Sequence, residues 1–126
     1  MRMLPLFVGS TALLLAVMPI AASYGQDPNS KRPGTEEGAV VEQANTELDG
    51  VYKRLMSKLD TDGQKALKDA ERSWIKWRDD EALLIARAGG AIGGSSLRVD
   101  FLTAQARLIR QRTEVLDGYL KQSAGN

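Results

Sequence analysis

The feature that most constrains this fold is the absence of proline between Gly34 and Asn126, the last residue. Proline interrupts helices because it lacks a backbone N–H and its ring clashes with the preceding turn. The same stretch is rich in Ala, Leu, Glu, Lys, Arg and Gln, which have high helix propensity. No pattern typical of β-strands competes with it. The sequence therefore predicts an all-α domain.

Two breaks divide this proline-free stretch. The first is DTDG at Asp60–Gly63, and the second is the glycine-rich GGAIGGSS at Gly89–Ser96. Thr61 and Gln64 have the spacing of a capping box at the start of the second helix, and a serine of the second break suits the N-cap of the third. The three predicted helices cover residues 36–59, 62–88 and 96–121.

Each predicted helix carries apolar residues at three- and four-residue steps, and therefore has one apolar face. In the first helix this face contains Val41, Ala44, Leu48, Val51, Tyr52, Leu55 and Leu59. In the second it contains Leu67, Ala70, Trp74, Trp77, Leu84, Ile85 and Ala88. In the third it contains Leu97, Phe101, Leu102, Ala104, Leu108, Ile109, Val115, Leu116 and Tyr119. We expect a small antiparallel three-helix bundle, a helical hairpin plus a further helix, in which the third helix packs against both others.

The chain contains no cysteine and no histidine. Without disulfides the fold must be held by packing alone, and without histidine it lacks the usual general base and the commonest zinc ligand. The acidic triplet Asp79–Glu81 does not suit a metal ion because consecutive helical residues point in different directions. The glycine of DTDG also comes too early for a calcium-binding loop. The sequence therefore predicts no catalytic residue, no cofactor and no metal site.

The first 25 residues have the pattern of a secretory signal peptide. A positive residue at position 2 precedes an apolar stretch, Leu4–Ala22, which is followed by small residues up to Gly25. The helix-breaking Pro19 favours cleavage, after Ala22 or after Gly25, over a retained membrane anchor. We therefore expect export to the periplasm or the extracellular space, with no stable membrane insertion after cleavage.

The remaining divisions follow from composition. Residues 26–35, which begin QDPNSKRPG, form a predicted disordered polar tether. The predicted helical domain covers residues 36–121, and residues 122–126 form a flexible tail.

The chain has 17 basic and 16 acidic residues and no Lys/Arg-rich run. This balance gives no field that attracts nucleic acid, and we expect no nucleic-acid partner.

Two stretches carry a resemblance to a known family. They are AN-x-ELD-x-VYKRL at positions 44–55 and AERSW-x-x-WRD at positions 70–79, and a weaker match follows in the third helix. With these stretches the chain from Glu37 to Leu120 resembles the family named for the lysozyme inhibitor LprI, in its N-terminal domain. Members of this family are short exported helical proteins. The resemblance implies structural roles for Leu48, Tyr52, Leu55, Trp74, Trp77, Arg78, Asp79, Arg112 and Leu116.

The chain departs from this family in its lack of cysteine. Typical members carry three cysteines, at positions that correspond here to Glu36 or Glu37, Ala82 and about Ala104. The resemblance implies that the two alanines replace a former bridge between the second and third helices. Any stability that such a bridge supplied must come from other contacts.

The tryptophans of the second helix allow two interpretations. Trp74 and Arg78 lie four residues apart and share one helix face, with Trp77 beside them. Trp and Arg are favoured at binding hot spots, so this group could anchor a partner. Alternatively, both indoles fill the core and an arginine lies along them, which is the interpretation we favour. In that case Arg78 or Arg112 forms a partly buried ion pair with the carboxylate at position 79 or 81.

The glycine-rich break also allows two interpretations. It could be a plain connector that reverses the chain between two long helices, which is the simpler alternative. It could instead be a flexible element that enters the sugar-binding groove of an enzyme, with serines as hydrogen-bonding groups and an isoleucine as the apolar contact. The candidate partner-binding residues are Gly90, Ile92, Gly93, Ser95 and Ser96.

The sequence thus predicts an exported helical binding module without enzymatic activity. The resemblance implies a protein partner, and a lysozyme-like muramidase that the chain binds and blocks. The alternative is an interaction or stress-response module whose partner is another cell-envelope protein or a second copy of the chain. The near-neutral charge does not favour binding to a lysozyme-like muramidase, because common lysozymes are strongly basic and an acidic inhibitor would bind them better.

Overall fold

The computed structural model describes residues 31–125, which form three α-helices and no β-strand. The helices are α1 (Thr35–Lys58), α2 (Thr61–Ala88) and α3 (Gly94–Ala124). The all-α prediction is confirmed, and every predicted helix end lies within three residues of the observed one. The predicted signal peptide, residues 1–25, and residues 26–30 of the predicted tether lie outside the described part of the chain. Within the described part, no helix is both long and apolar enough to cross a membrane.

Helix α3 is the central element of the domain. It packs along both α1 and α2, whereas α1 and α2 approach each other at few positions. The prediction that the third helix contacts both others is therefore confirmed. Since α1 and α2 diverge, an open cleft remains between them.

The core is built mainly by α1 and α3. The predicted face of α1 is confirmed, since Val41, Ala44, Leu48, Val51 and Leu55 are buried. On α3, Ile109 and Leu116 are fully buried and are the largest such side chains among the described residues. Each of these two positions removes a large aliphatic side chain from water, which contributes about 2 kcal/mol of stability per residue.

The predicted apolar face of α2 is wrong in part. Leu67 is buried as expected, but the other buried residues are Ala82 and Ala86, while Trp77 is 49% and Leu84 60% exposed. The predicted Ala70 and Ala88 are also exposed. The two buried alanines let α2 approach α3 closely, and this sets the rotation of α2 so that Trp77 and Leu84 face away. On α3, Val115 and Tyr119 are likewise about half exposed rather than buried.

The turn between α1 and α2 is closed by the side chains of Asp60 and Gln64. Asp60, not the predicted Thr61, is the N-cap of α2, and its carboxylate accepts a hydrogen bond from the Gly63 N–H at 2.8 Å. The carboxylate also places negative charge at the positive end of the helix dipole. Gln64 does reach back, as the capping-box spacing indicates, but its amide donates to the carbonyls of Met56 and Leu59 at the end of α1.

Both ends of the described chain are more ordered than the sequence indicates. Residues 31–34, assigned to the predicted tether, form a turn in which the Thr35 N–H donates to the Arg32 carbonyl at 3.1 Å. Gly34 is buried against the side chain of Arg98, and a Cβ atom at Gly34 would lie 2.8 Å from the Arg98 Nε. At the other end, α3 continues to Ala124, so most of the predicted flexible tail is helical.

Candidate functional site

Trp74 is the centre of the contact between α2 and α3. Its indole is half-buried and packs against the main core. The Cζ atoms of Arg78 and Arg112 lie 5.5 Å and 5.7 Å from the centre of the ring. A guanidinium at this distance from an indole is attracted to it by about 1 kcal/mol. Two arginines, one from each helix, therefore bind the same aromatic ring.

Both arginines also form ion pairs. Arg78 Nη2 lies 2.8 Å from Asp79 Oδ1, and the Gln105 amide of α3 donates to the same oxygen at 3.0 Å. Arg112 Nε lies 3.1 Å from Glu71 Oε2, and both of these side chains are about 85% buried, being 15% and 13% exposed. The predicted pairing of Arg78 with the carboxylate at position 79 is present. The alternative partners predicted for Arg112 are not used, because it pairs with Glu71.

Glu71 and Gln105 are site residues that the sequence did not identify. The signal for Glu71 is its spacing from Trp74 and Arg78, which follow it at successive steps of three and four residues and therefore share one helix face with it. Gln105 has no comparable local signal, since its partner lies on another helix. The structural interpretation of the two tryptophans holds for Trp74 and is wrong for Trp77, which faces solvent over about half of its surface.

The carboxyl group of Asp79 is held in its charged form. The hydrogen bond from Arg78 lowers the pKa of this carboxyl below its ordinary value, the Gln105 amide adds to the effect, and partial burial opposes it. A carboxyl with a lowered pKa is a poor proton donor near neutral pH. The group is thus suited to linking α2 with α3 and not to acid catalysis.

The Asp79 pair predicts a small pH dependence of stability. The pKa of Asp79 is lower in the folded chain than in the unfolded chain. The ion pair therefore stabilises the fold fully when the pH is above the pKa of the unfolded chain, and this stabilisation is lost as the pH falls through the pKa of the folded chain. We expect Asp79→Asn to cost under about 1 kcal/mol at pH 7, since the carboxylate is 47% exposed. Urea unfolding at several pH values measures the difference. It should shrink as the pH falls below about 4, and a difference independent of pH would contradict this role.

The two stretches that carry the family resemblance meet in the cleft between α1 and α2. Asn45, Asp49 and Tyr52 line it from the first stretch, and Trp74 and Arg78 from the second. The cleft has a volume of 340 Å³ and also has basic side chains, Lys68 and Arg72, at its α2 edge. The resemblance therefore corresponds to one continuous part of the molecule, built from residues of two consecutive helices.

The connection between α2 and α3 places one apolar side chain in solvent. Gly90, with φ +97°, allows the chain to turn directly after α2. Ala91 is buried and its N–H donates to the Ala86 carbonyl at 3.1 Å. Ile92, the next residue, is 88% exposed, and the Arg87 side chain donates to its carbonyl. The loop is therefore held by hydrogen bonds on both sides of an exposed isoleucine.

The two candidate serines lie in the first turn of α3 instead of capping it. The N-cap is Gly93, which has no side chain to accept a hydrogen bond. Ser95 and Ser96 are exposed, and the Ser96 hydroxyl donates to the Gly93 carbonyl at 3.1 Å. Both hydroxyl oxygens keep lone pairs that can accept hydrogen bonds from a partner. Whether these loop residues contact a partner stays a prediction.

The fold and these surfaces define a small helical binding domain. In residues 31–125, no group of three or more acidic, histidine or cysteine side chains is arranged to hold a metal ion. Features that another molecule could contact are the exposed loop, the cleft and the half-exposed apolar residues of α2. These are the features by which a protein contacts another protein.

A comparison with models of known protein families shows which family the chain belongs to. The model of the family described as lysozyme inhibitor LprI matches residues 37–116, well over half of the chain, and the chain belongs to this family. The resemblance found in the sequence is thereby confirmed. Members of the family are exported inhibitors, not enzymes, and their partner, lysozyme, is a protein. No curated protein and no solved structure matches the chain.

Proposed function

We propose that this protein binds and blocks a lysozyme-like muramidase. The observation that carries the proposal is the family match, which covers α1, α2 and most of α3. All three helices of the domain are thus part of the shared pattern, and both of its specific stretches line one cleft. The charge balance of the chain supplies little long-range attraction to a basic enzyme, so binding depends on local contacts.

The loop between α2 and α3 is the proposed point of contact with the enzyme. Its chemistry suits a sugar-binding groove, because Ile92 offers an apolar group and Ser95 and Ser96 offer hydroxyls that replace those of a saccharide. Hydrogen bonds from Ala91 and to Ile92 fix the loop before binding. A contact that is ordered in advance loses less conformational entropy when the complex forms.

The proposed place of action is the periplasm or the cell exterior. Two observations support it. The first 25 residues have the charge, apolar and small-residue order of a signal peptide, and inhibitors of this family are exported. A muramidase acts on the cell wall, so an inhibitor must be exported to meet it.

The test is cell-wall lysis by lysozyme in the presence of the purified protein. We expect inhibition that saturates with increasing protein, and Ile92→Asp should weaken it at least about tenfold, since burying an isoleucine contributes roughly 2 kcal/mol. The matched control is Val40→Asp on α1, another exposed aliphatic residue, which should leave inhibition unchanged. Full lysis at excess protein would contradict the proposed function. Inhibition that Ile92→Asp does not weaken would contradict the role of the loop alone.

A further inference from the structure

The two walls of the cleft between α1 and α2 differ in charge. The α2 wall carries two exposed cations, Lys68 and Arg72, four residues apart on one face of the helix. The α1 wall carries one exposed carboxylate, that of Asp49. No ion pair within residues 31–125 uses Lys68 or Asp49, and Arg72 has only a long contact with Asp69, at 3.8 Å. The cleft therefore offers positive charge on one side and a hydrogen-bond acceptor on the other.

The cleft also contains polar groups without partners. Among the described residues, no hydrogen bond uses the side chains of Asn45, Tyr52 or Trp74. In the same part of the chain, no buried side-chain nitrogen or oxygen atom lacks a partner. The amide, the hydroxyl and the indole N–H are therefore accessible to another molecule. Each of them can donate a hydrogen bond, so the cleft matches a ligand that is rich in oxygen atoms.

The apolar part of the cleft suits one face of a sugar ring. Ile75, which is 42% exposed, and the half-buried ring of Tyr52 line it. A pyranose has a face of C–H groups that packs against such side chains, and a rim of hydroxyls that donate and accept hydrogen bonds. The cleft volume of 340 Å³ is within the range of small-molecule sites, about 300–1,000 Å³. This space is enough for one substituted sugar ring.

We propose that the cleft between α1 and α2 binds a saccharide unit that carries a carboxylate. Lys68 and Arg72 bind the carboxylate, and Asp49 accepts hydrogen bonds from the hydroxyls. One face of the ring packs against Tyr52 and Ile75. The acidic wall favours a sugar over a simple anion, because Asp49 repels a ligand that has only negative charge but accepts hydrogen bonds from hydroxyl groups. The inference rests on the cleft alone and does not depend on inhibition of a muramidase.

The test is an NMR titration of the isotope-labelled protein with N-acetylmuramic acid and, separately, with N-acetylglucosamine. The two sugars differ by one ether-linked lactyl group, which carries the carboxylate. We expect N-acetylmuramic acid to shift the indole N–H resonance of Trp74 with a dissociation constant on the order of 1 mM, and N-acetylglucosamine to bind about tenfold more weakly. The indole of Trp77 is the internal control, because it does not line the cleft. Trp77→Phe assigns the two indole resonances.

Lys68→Ala tests the positive wall of the cleft. It should weaken the binding of N-acetylmuramic acid about threefold, since Lys68 is exposed, and leave the binding of N-acetylglucosamine unchanged. Lys76→Ala is the matched control. It removes the same charge from the same helix, at an exposed position that does not line the cleft, and should change neither dissociation constant. Circular dichroism checks that both variants stay helical.

Three results would overturn the proposal. The first is an unshifted Trp74 resonance at about 20 mM N-acetylmuramic acid, well above the expected dissociation constant. The second is equal binding of the two sugars, or equal losses in Lys68→Ala and Lys76→Ala, which would show that the positive wall does not bind the carboxylate. The third is an equal response to sodium acetate, which would show that the cleft binds any carboxylate and does not recognise a sugar. The titration contains no enzyme, so it is independent of the lysis assay.

Discussion

Replacement of Arg112 by alanine is expected to lower the free energy of unfolding by about 3 kcal/mol. The main reason is the fate of Glu71, whose carboxylate is 13% exposed and pairs with Arg112 Nε at 3.1 Å. Without the guanidinium this carboxylate stays largely buried with no opposite charge, which costs more than the ion pair itself contributes. The variant also loses one of the two guanidinium groups that lie beside Trp74.

The measurement is equilibrium unfolding in urea, followed by tryptophan fluorescence and by circular dichroism. Arg110→Ala is the matched control, because Arg110 lies on the same helix two residues away but is exposed. It should change stability by less than about 0.5 kcal/mol. Arg112→Lys separates charge from shape, since it keeps the positive charge but loses the planar group. Its loss of stability should lie between those of Arg112→Ala and Arg110→Ala. A loss below about 1 kcal/mol in Arg112→Ala would show that Arg112 does not hold α2 against α3.

Helix α1 could be predicted from its own sequence because one neighbour determines its orientation. Its buried face contacts α3 and has only a few contacts with α2. A single apolar face with a period of 3.6 residues then identifies the buried positions. The five residues buried on α1 were all among those predicted from spacing.

Helix α2 could not be predicted in the same way, because side chains of α3 select its buried face. Spacing and hydrophobicity placed Trp77 and Leu84 in the core, yet both are exposed. The observed orientation buries most of Arg78, which is possible because Gln105 of α3 completes the hydrogen bonding around its partner Asp79. Information about this pairing lies in another helix, and the sequence of α2 alone does not contain it.

The loop between α2 and α3 could likewise be predicted from the sequence only in part. The glycines and serines predicted a connection between helices, and the connection is present. Ala91 and Ile92 are adjacent, yet the smaller residue is buried and the larger one is exposed. The hydrogen bond from the Ala91 N–H to the Ala86 carbonyl fixes this arrangement, and it depends on how α2 ends, which residue types do not specify.

The second large effect concerns the two alanines that the family resemblance places at former cysteine positions. Ala82 of α2 is completely buried, Ala104 of α3 is 4% exposed, and both belong to one cluster with Leu108. We expect the double variant A82C/A104C to form a disulfide under oxidising conditions. For a closed loop of this length the bond should raise the free energy of unfolding by about 3 kcal/mol, and the melting temperature by about 10 °C or more.

The reduced form of the same variant is the control, because it has the same side chains without the bond. We expect it to be slightly less stable than the original chain, since two sulfur atoms must fit where α2 and α3 lie close together. The single variant Ala82→Cys measures the packing cost at the more buried position. If the oxidised form melts at or below the temperature of the reduced form, α2 and α3 do not meet as the bridged members of the family require. If it melts higher, positions 82 and 104 have the geometry that a disulfide needs, as the bridge implied by the family resemblance requires.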